Sequence, residues 1–263
     1  MIKDITITLL LPTYNEVDGF KEIFPKINRN LFDDILVVDG GSNDGTVEYA
    51  YSQNIRVMSQ IRRGLSEAVI DSIETLNTDC VIEFSLDGNS IPEKLPELVK
   101  EMKKGYDLVV VSRYLPPAKS YDDNIVTAFG NFVFTKLIRL LGNYPITDSL
   151  VMYRGFNISI VKYPEFKKFL IGPVFEPLTS MVACNRKLKI FEIAGDEPDR
   201  IGGESKMRVF YNGGCIALGH PMGATGSIML SSLLDEMERQ DLSIGLVATS
   251  GAAGAGTALL IQR

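Results

Sequence analysis

DILVVDGGSNDGT, Asp34 to Thr46, decides the fold. It opens with an apolar, β-branched run, Ile35-Leu36-Val37-Val38, and ends that run at Asp39. Gly40-Gly41 then predict a tight loop, and Asp44 to Ser52 reads as a helix. A short strand that is apolar throughout, not alternating, is covered on both faces, as in a parallel sheet. The same grammar runs outward in both directions. Upstream, Ile5 to Leu11 is an apolar strand that stops at Pro12, and Val17 to Asn28 reads as a helix. Downstream come strand Ile55 to Ser59, helix Leu65 to Asn77, strand Cys80 to Ser85, helix Pro92 to Lys103 and strand Leu108 to Ser112.

This βαβα rhythm predicts an α/β fold with a mostly parallel sheet covered by helices on both faces. Ligands of such sheets bind beyond the carboxyl ends of the strands. The polar loops after Leu11, Val38, Phe84 and Val111 are therefore expected on one rim. Further on, Ile125 to Leu141 reads as an amphipathic helix with Val126, Phe129, Val133, Phe134, Leu137 and Leu141 on its apolar face, a core helix more readily than a lipid-facing one. Asp196 to Arg208 reads as a polar, glycine-containing loop.

Four loops carry candidate chemistry. LPTYNE, Leu11 to Glu16, and VVDGGSNDGT, Val37 to Thr46, stand at the ends of the first two strands. An acidic residue such as Asp39 followed by glycines can hydrogen-bond a nucleoside while the backbone comes close. The same residues also suit a plain βα turn with Asp44 as a helix N-cap. Arg62-Arg63-Gly64 puts cations before a helix, where they suit a diphosphate or a solvated surface. In SLDGNS, Ser85 to Ser90, Asp87 and Asn89 present oxygen ligands two residues apart, which suits Mg²⁺ or Mn²⁺ and also suits a turn.

Together, and in this order with VSRY (Val111 to Tyr114), TDSLVMYRGF (Thr147 to Phe156) and DRIGGESKMR (Asp199 to Arg208), these motifs resemble the family 2 glycosyltransferases. The nearest branch is the polyprenol-phosphate, dolichol-phosphate mannose type, synthases. The likeness covers Ile5 to about Tyr211. It implies a Rossmann-like GT-A nucleotide-diphospho-sugar transferase fold. It also implies transfer of a sugar from a nucleotide-diphosphate donor, with a divalent metal and with polyprenyl phosphate as the acceptor. By the same resemblance Pro12, Tyr14, Glu16 and Asp39 line the nucleoside pocket and Arg63 lies near the phosphates. Asp87 and Asn89 hold the metal. Arg113, Arg154, Arg200 and Lys206 surround the diphosphate and an anionic acceptor. Two positions depart from the family pattern: Ser85 replaces the first carboxylate of the usual Asp-x-Asp loop, and Gly40 replaces the second Asp of the usual VDDGS. A phosphate acceptor needs no general base. For a hydroxyl acceptor Glu176, in VFEPLTS, is the one base candidate, although a helix-starting structural role suits it better.

From Asn212 the character changes. NGGCIALGHPMGATG and SGAAGAGTALLI resemble the histidine loop and the last glycine-rich loop and strand of the thiolases. In that family the histidine, here His220, activates a thioester or a cysteine, and Ser250 stands where an acid/base cysteine is usual. Helix Ser227 to Arg239 and strands Ile244 to Thr249 and Thr257 to Gln262 complete a small α/β segment. The reading is thus two domains, 1–211 and 212–263, joined without a Pro/Ser-rich linker, as a recombined fusion would be. A terminal fragment lacks the remaining catalytic loops, so thiolase-type acyl transfer is the weakest alternative. A catalytically degenerate nucleotide-sugar binder is the stronger one.

Bulk properties fit this picture. A net charge of -6 argues against a nucleic-acid partner. Three widely spaced cysteines, Cys80, Cys184 and Cys215, without a CxxC pair argue against a disulfide framework or zinc site. No charged and then apolar leader and no membrane-spanning run is read. The expected location is the cytoplasm, with any membrane contact peripheral.

Overall fold

The computed structural model describes residues 5–61, 65–121, 125–142, 144–169, 174–201, 225–239, 243–250 and 256–262. Two compact units emerge, Met1–Gly203 and Glu204–Arg263.

The first unit is built on β1 (Ile7–Thr13), β2 (Asp34–Asp39), β3 (Arg56–Ser59), β4 (Cys80–Glu83), β5 (Leu108–Ser112), β6 (Arg154–Asn157) and β7 (Ile190–Ala194). They form one sheet in the order β3-β2-β1-β4-β6-β5-β7. Every pairing is parallel except those of β6, which runs antiparallel between β4 and β5. The connecting helices are α1 (Val17–Ile23), α2 (Thr46–Ser52), α3 (Leu65–Ile73), α4 (Leu95–Lys103), α5 (Ile125–Gly142), α6 (Pro164–Phe169) and α7 (Phe175–Asn185). In β1, Ile7, Thr8, Leu9, Leu10 and Leu11 are all fully buried. Successive side chains point to opposite faces, so this strand is covered on both, as its unbroken apolar run requires.

The chain lays down β1, β2 and β3 in one direction and then returns to place β4 on the other side of β1. That reversal is the switch point at which open sheets of this type bind ligands. The loops Tyr14–Glu16 and Ser85–Ser90 leave the two strands that flank it. β6 accommodates a close helix: a Cβ at Gly155 would lie 2.6 Å from Leu98 Cδ2 of α4.

Some boundaries differ from the sequence reading. The helix expected over Val17 to Asn28 ends at Ile23, and Phe24–Lys26 continues as one 3-10 turn. Pro25 lacks the N–H needed inside a helix but starts a new turn without penalty. β6, α6 and β7 were not read as elements, and of α7 only its start at Glu176 was. On α5 the expected apolar face is turned outward. Val133, Phe134 and Leu137 are exposed, while Asn131, Thr135 and Ile138 are buried. Val126, Phe129 and Leu141 have side chains outside the described set.

The second unit holds α8 (Thr225–Arg239) and the antiparallel pair β8 (Ile244–Ser250) and β9 (Gly256–Gln262). Met237 is its buried anchor. A Cβ at Gly245 would lie 2.4 Å from Met237 Sδ, so the helix packs on the ribbon at a glycine.

Candidate functional site

The loops after β1 and β2 are laced together. Asn15, in the left-handed region at φ 52, donates its N–H to Ser42 Oγ at 2.9 Å and accepts from Asn43 N at 2.9 Å. Glu16 N donates to Thr46 Oγ1 at 3.0 Å. Asp44 serves two helices. Its carboxylate accepts from Val17 N at 3.0 Å, at the start of α1, and from Thr46 N at 3.0 Å, at the start of α2. Partial burial works to raise the Asp44 pKa, but the bonds from Thr46 and Val17 outweigh it and hold the group below its ordinary value. The N-cap position of α2 is Gly45, one residue after the Asp44 expected there, yet the Asp44 carboxylate still accepts from the first N–H of α2 and of α1.

Asp39 is buried at the end of β2, and its carboxylate accepts from Gly41 N at 2.8 Å and from Ser42 N at 3.0 Å. Its second oxygen receives only a longer Ser42 contact of 3.3 Å, which leaves it acceptor capacity. Tyr14 is 48% exposed on the same rim and offers a flat ring. Pro12 and Glu16 belong to this edge as well.

The loop after β4 lies against it. A Cβ on Gly19 of α1 would fall 2.2 Å from the Leu86 carbonyl oxygen, so glycine lets α1 sit directly on the Ser85–Ser90 turn. Ser85 Oγ accepts from Asp87 N at 3.4 Å, and Asp87 Oδ1 accepts from Asn89 N at 3.2 Å. Gly88 has φ +93, and a Cβ there would lie 2.6 Å from Ile201 Cγ1. Ile201 donates its N–H to the Asp87 carbonyl at 2.6 Å, and Arg200 Nη1 sits 3.4 Å from Asp87 Oδ2. The Arg200–Ile201 segment thus lies across the Asp87 loop.

Asp87 and Asn89 fit a hard divalent cation, which takes few protein oxygens and completes its shell with phosphate and water. The donor set is sparse. Ser85 contributes no carboxylate, and no cluster of three or more His, Cys, Asp or Glu suited to a metal occurs among the described residues.

Arg113, at the end of β5, is clamped. Its guanidinium meets Asp148 at 2.7 Å and 3.1 Å and Glu197 at 3.2 Å, and it lies over the Tyr114 ring. Burial works against its charge, but Asp148 and Glu197 outweigh that and raise its pKa. Arg154 is not on the rim. It is fully buried, and its N–H groups donate to Val151 O, to Ser149 O at 3.1 Å, to Glu176 O at 2.7 Å and to Ser180 Oγ at 3.0 Å. A residue so placed does not reach a diphosphate outside the sheet. Glu176, in the first turn of α7, is buried beside it. Burial raises the Glu176 pKa although Arg154 opposes this. Arg63, Lys206 and His220 lie outside the described residues, and Ser250 closes β8.

The structure therefore brings Tyr14, Asp39, Asp87, Asn89 and Arg200 to one rim, with Arg113 beside it in an ion-pair clamp. Sequence reasoning missed the clamp itself. Asp148 was quoted within TDSLVMYRGF, but nothing in a linear motif tells that it will face an arginine 35 residues away.

An α/β sheet with polar loops gathered at its switch point defines the class, and comparison with known proteins gives the family. The model for glycosyl transferase family 2 matches residues 8–163, and the chain belongs to that family. The model for the thiolase C-terminal domain matches residues 178–263. The chain is 31% identical over 215 residues to a dolichol-phosphate mannosyltransferase of Pyrococcus furiosus, covering 79% of this chain and 53% of that protein. It is 46% identical over 56 residues to an acetyl-CoA acetyltransferase of Cupriavidus necator, covering 21% of this chain and 14% of that protein. The chain spans between 50% and 66% of the length of the first curated relatives it matches. Among solved structures it resembles glucosyl-3-phosphoglycerate synthase from Mycobacterium tuberculosis in complex with Mn²⁺, UDP and phosphoglyceric acid. The TM-score is 0.62 at 20% identity, over 98% of this chain and 88% of that one. At that identity the likeness establishes the fold, which is GT-A.

Proposed function

We propose that this protein transfers a sugar from a nucleotide diphosphate to a lipid phosphate, through residues of the first unit and with a divalent cation. The observation that carries the reading is the meeting of the Tyr14–Asp39 edge with the Asp87–Arg200 pair at the switch between β1 and β4. Family membership and the similarity to a dolichol-phosphate mannosyltransferase support it.

In this reading Tyr14 stacks on the base and the open Asp39 oxygen accepts from the nucleoside. Asp87 and Asn89 would hold the cation, which would supply charge stabilisation for the leaving diphosphate. Arg200, already at the Asp87 carboxylate, adds a guanidinium where negative charge develops. A phosphate acceptor is an anion before it reacts and needs no proton removed. That agrees with Glu176 being spent in the core. We assign the domains as 1–211 and 212–263 and place sugar transfer in the first.

Asp87→Ala should abolish sugar transfer and donor hydrolysis while the fold persists by circular dichroism. Full activity in that variant would reject the cation site. Ser85 favours one alternative, a nucleotide-sugar binder without turnover. The two separate in a thermal-shift screen of GDP-, UDP- and dTDP-sugars with Mg²⁺ or Mn²⁺ followed by product analysis, since ligand binding raises apparent stability by mass action. A shift without product supports the binder.

A further inference from the structure

After β7 the chain runs as a strap, residues 195–201, back to the Asp87 loop. Gly195 donates its N–H to Ser112 O at 3.1 Å and so extends the pairing of β7 with β5. Asp196 Oδ1 accepts from Lys119 N at 2.8 Å. Glu197 forms a parallel bridge with Ser120, donating its N–H to Lys119 O at 3.0 Å and accepting from Tyr121 N at 2.9 Å. Its side chain is buried, and the carboxylate accepts from Ser120 Oγ and from Arg113 Nη1 at 3.2 Å and 3.3 Å. Arg113 is itself fixed by the fully buried Asp148. Pro198, Asp199 and Arg200 alone separate this anchor from Ile201, whose N–H donates to Asp87 O at 2.6 Å. The ring of Pro198 locks its own φ and keeps Glu197 out of helical geometry, so the connection is stiff as well as short.

Charge balance does not account for Glu197. Asp148 already pairs with Arg113 through two hydrogen bonds, so a second carboxylate adds negative charge beside a rim that is to receive a diphosphate. What Glu197 does supply is a fixed point for the strap. We propose that Glu197 is a positioning residue: by tying the strap to Arg113 and Ser120, it holds the Arg200 guanidinium at the Asp87 carboxylate. Arg200 Nη1 lies 3.4 Å from Asp87 Oδ2, and its side chain keeps 26% exposure toward a ligand. Such preorganisation matters because a donor aimed at developing charge is effective only if it need not reorganise during the reaction. The inference rests on the proposed function for what Arg200 does in transfer, and on geometry alone for what Glu197 does to Arg200.

The test joins a double-mutant cycle on kcat to amide hydrogen exchange of the full chain. In Glu197→Ala the Ile201 amide should exchange about 10-fold faster or more, from the loss of a charge-assisted hydrogen bond, while the amides of β1 keep their protection. Transfer is followed with GDP-, UDP- and dTDP-sugars and a polyprenyl phosphate. Glu197→Ala should lower kcat by on the order of 10- to 100-fold, as for a group misplaced by about 1 Å, with the donor KM little changed. In an Arg200→Ala background the same substitution should cost nothing further, because its effect runs through that guanidinium. Glu197→Gln keeps an oxygen for Arg113 and Ser120 and should recover most of the rate. If circular dichroism shows Glu197→Ala unfolded, Ser120→Ala, which removes one donor to the same carboxylate, should give the same pattern at smaller size. Equal losses with and without Arg200, or unchanged Ile201 exchange, would overturn the assignment. Exchange that depends on Glu197 in a protein that transfers no sugar would leave the hold on the strap intact and remove the proposed function.

Discussion

At the scale of single residues, Glu83 is a costly side chain to bury in the sheet. It sits opposite Arg154 in the β4–β6 register, fully buried, yet neither carboxylate oxygen has a hydrogen-bond partner. The Arg154 donors are taken by carbonyls and Ser180 instead. Burial raises the Glu83 pKa, the Glu176 charge raises it further, and Arg154 opposes both without prevailing. A carboxyl with a raised folded-state pKa contributes its full stability below the ordinary carboxylate value of about 4.3 and loses it as pH rises through the folded value. Glu83→Gln removes that loss while keeping the shape. The expected result is no change in thermal midpoint in acid and an increase at neutral to alkaline pH. Each kcal/mol relieved should move the midpoint by about 2–4 °C for a chain of this size. A shift of the same size at every pH would show that the cost of Glu83 is packing and not charge.

At the scale of elements, legibility in the sequence follows how a segment is stabilised. β1, β2, β4 and β5 were readable because their central residues are buried and apolar on both faces, whereas β3, RVMS, is only half-buried in its middle and was readable from its place between two helices. β6, RGFN, carries a buried arginine and a glycine, and only its place between β4 and β5 makes it a strand. α5 was readable as a helix, but its faces were not, because periodicity gives an apolar side without saying what lies against it. The rim was legible as a set of strand-end loops, and Asp39, Asp87 and Asn89 were found by that logic. Arg154 was not placed by it, since a motif lists residues in order and is silent on which side of a strand they fall. The bond of Asp44 to two helix starts is an element-level device. The Glu16 N-cap of α1 makes no side-chain capping bond of its own, and neither does the Gly45 N-cap of α2. Asp44→Ala should cost about 1–2 kcal/mol, in the range of a lost cap, and Asp44→Asn should recover part of it. Denaturation midpoints followed by circular dichroism would show this, and an unchanged midpoint in Asp44→Ala would mean that the laced loops hold without it.

At the scale of the whole molecule, sequence likeness and packing divide the chain at different places. The thiolase match begins at residue 178, within α7, whereas the compact units part between Gly203 and Glu204. Packing favours the later division. Phe175, Leu178, Val182, Ala183 and Cys184 of α7 belong to the core of the first unit, and β7 pairs with β5 along its full length. Helix α7 and strand β7 therefore belong to the first unit whatever their likeness. Removing them would uncover β5 and leave Glu176 and Arg154 without the helix that closes over them. A chain ended after Gly203 should unfold in one cooperative transition with a melting temperature close to that of the intact protein. A chain ended after Pro177 should be insoluble, because an unpaired central strand invites association at its open edge. If the shorter chain stayed soluble and cooperative while the longer one did not, α7 and β7 would belong to the tail, and the family 2 fold of this protein would end before them.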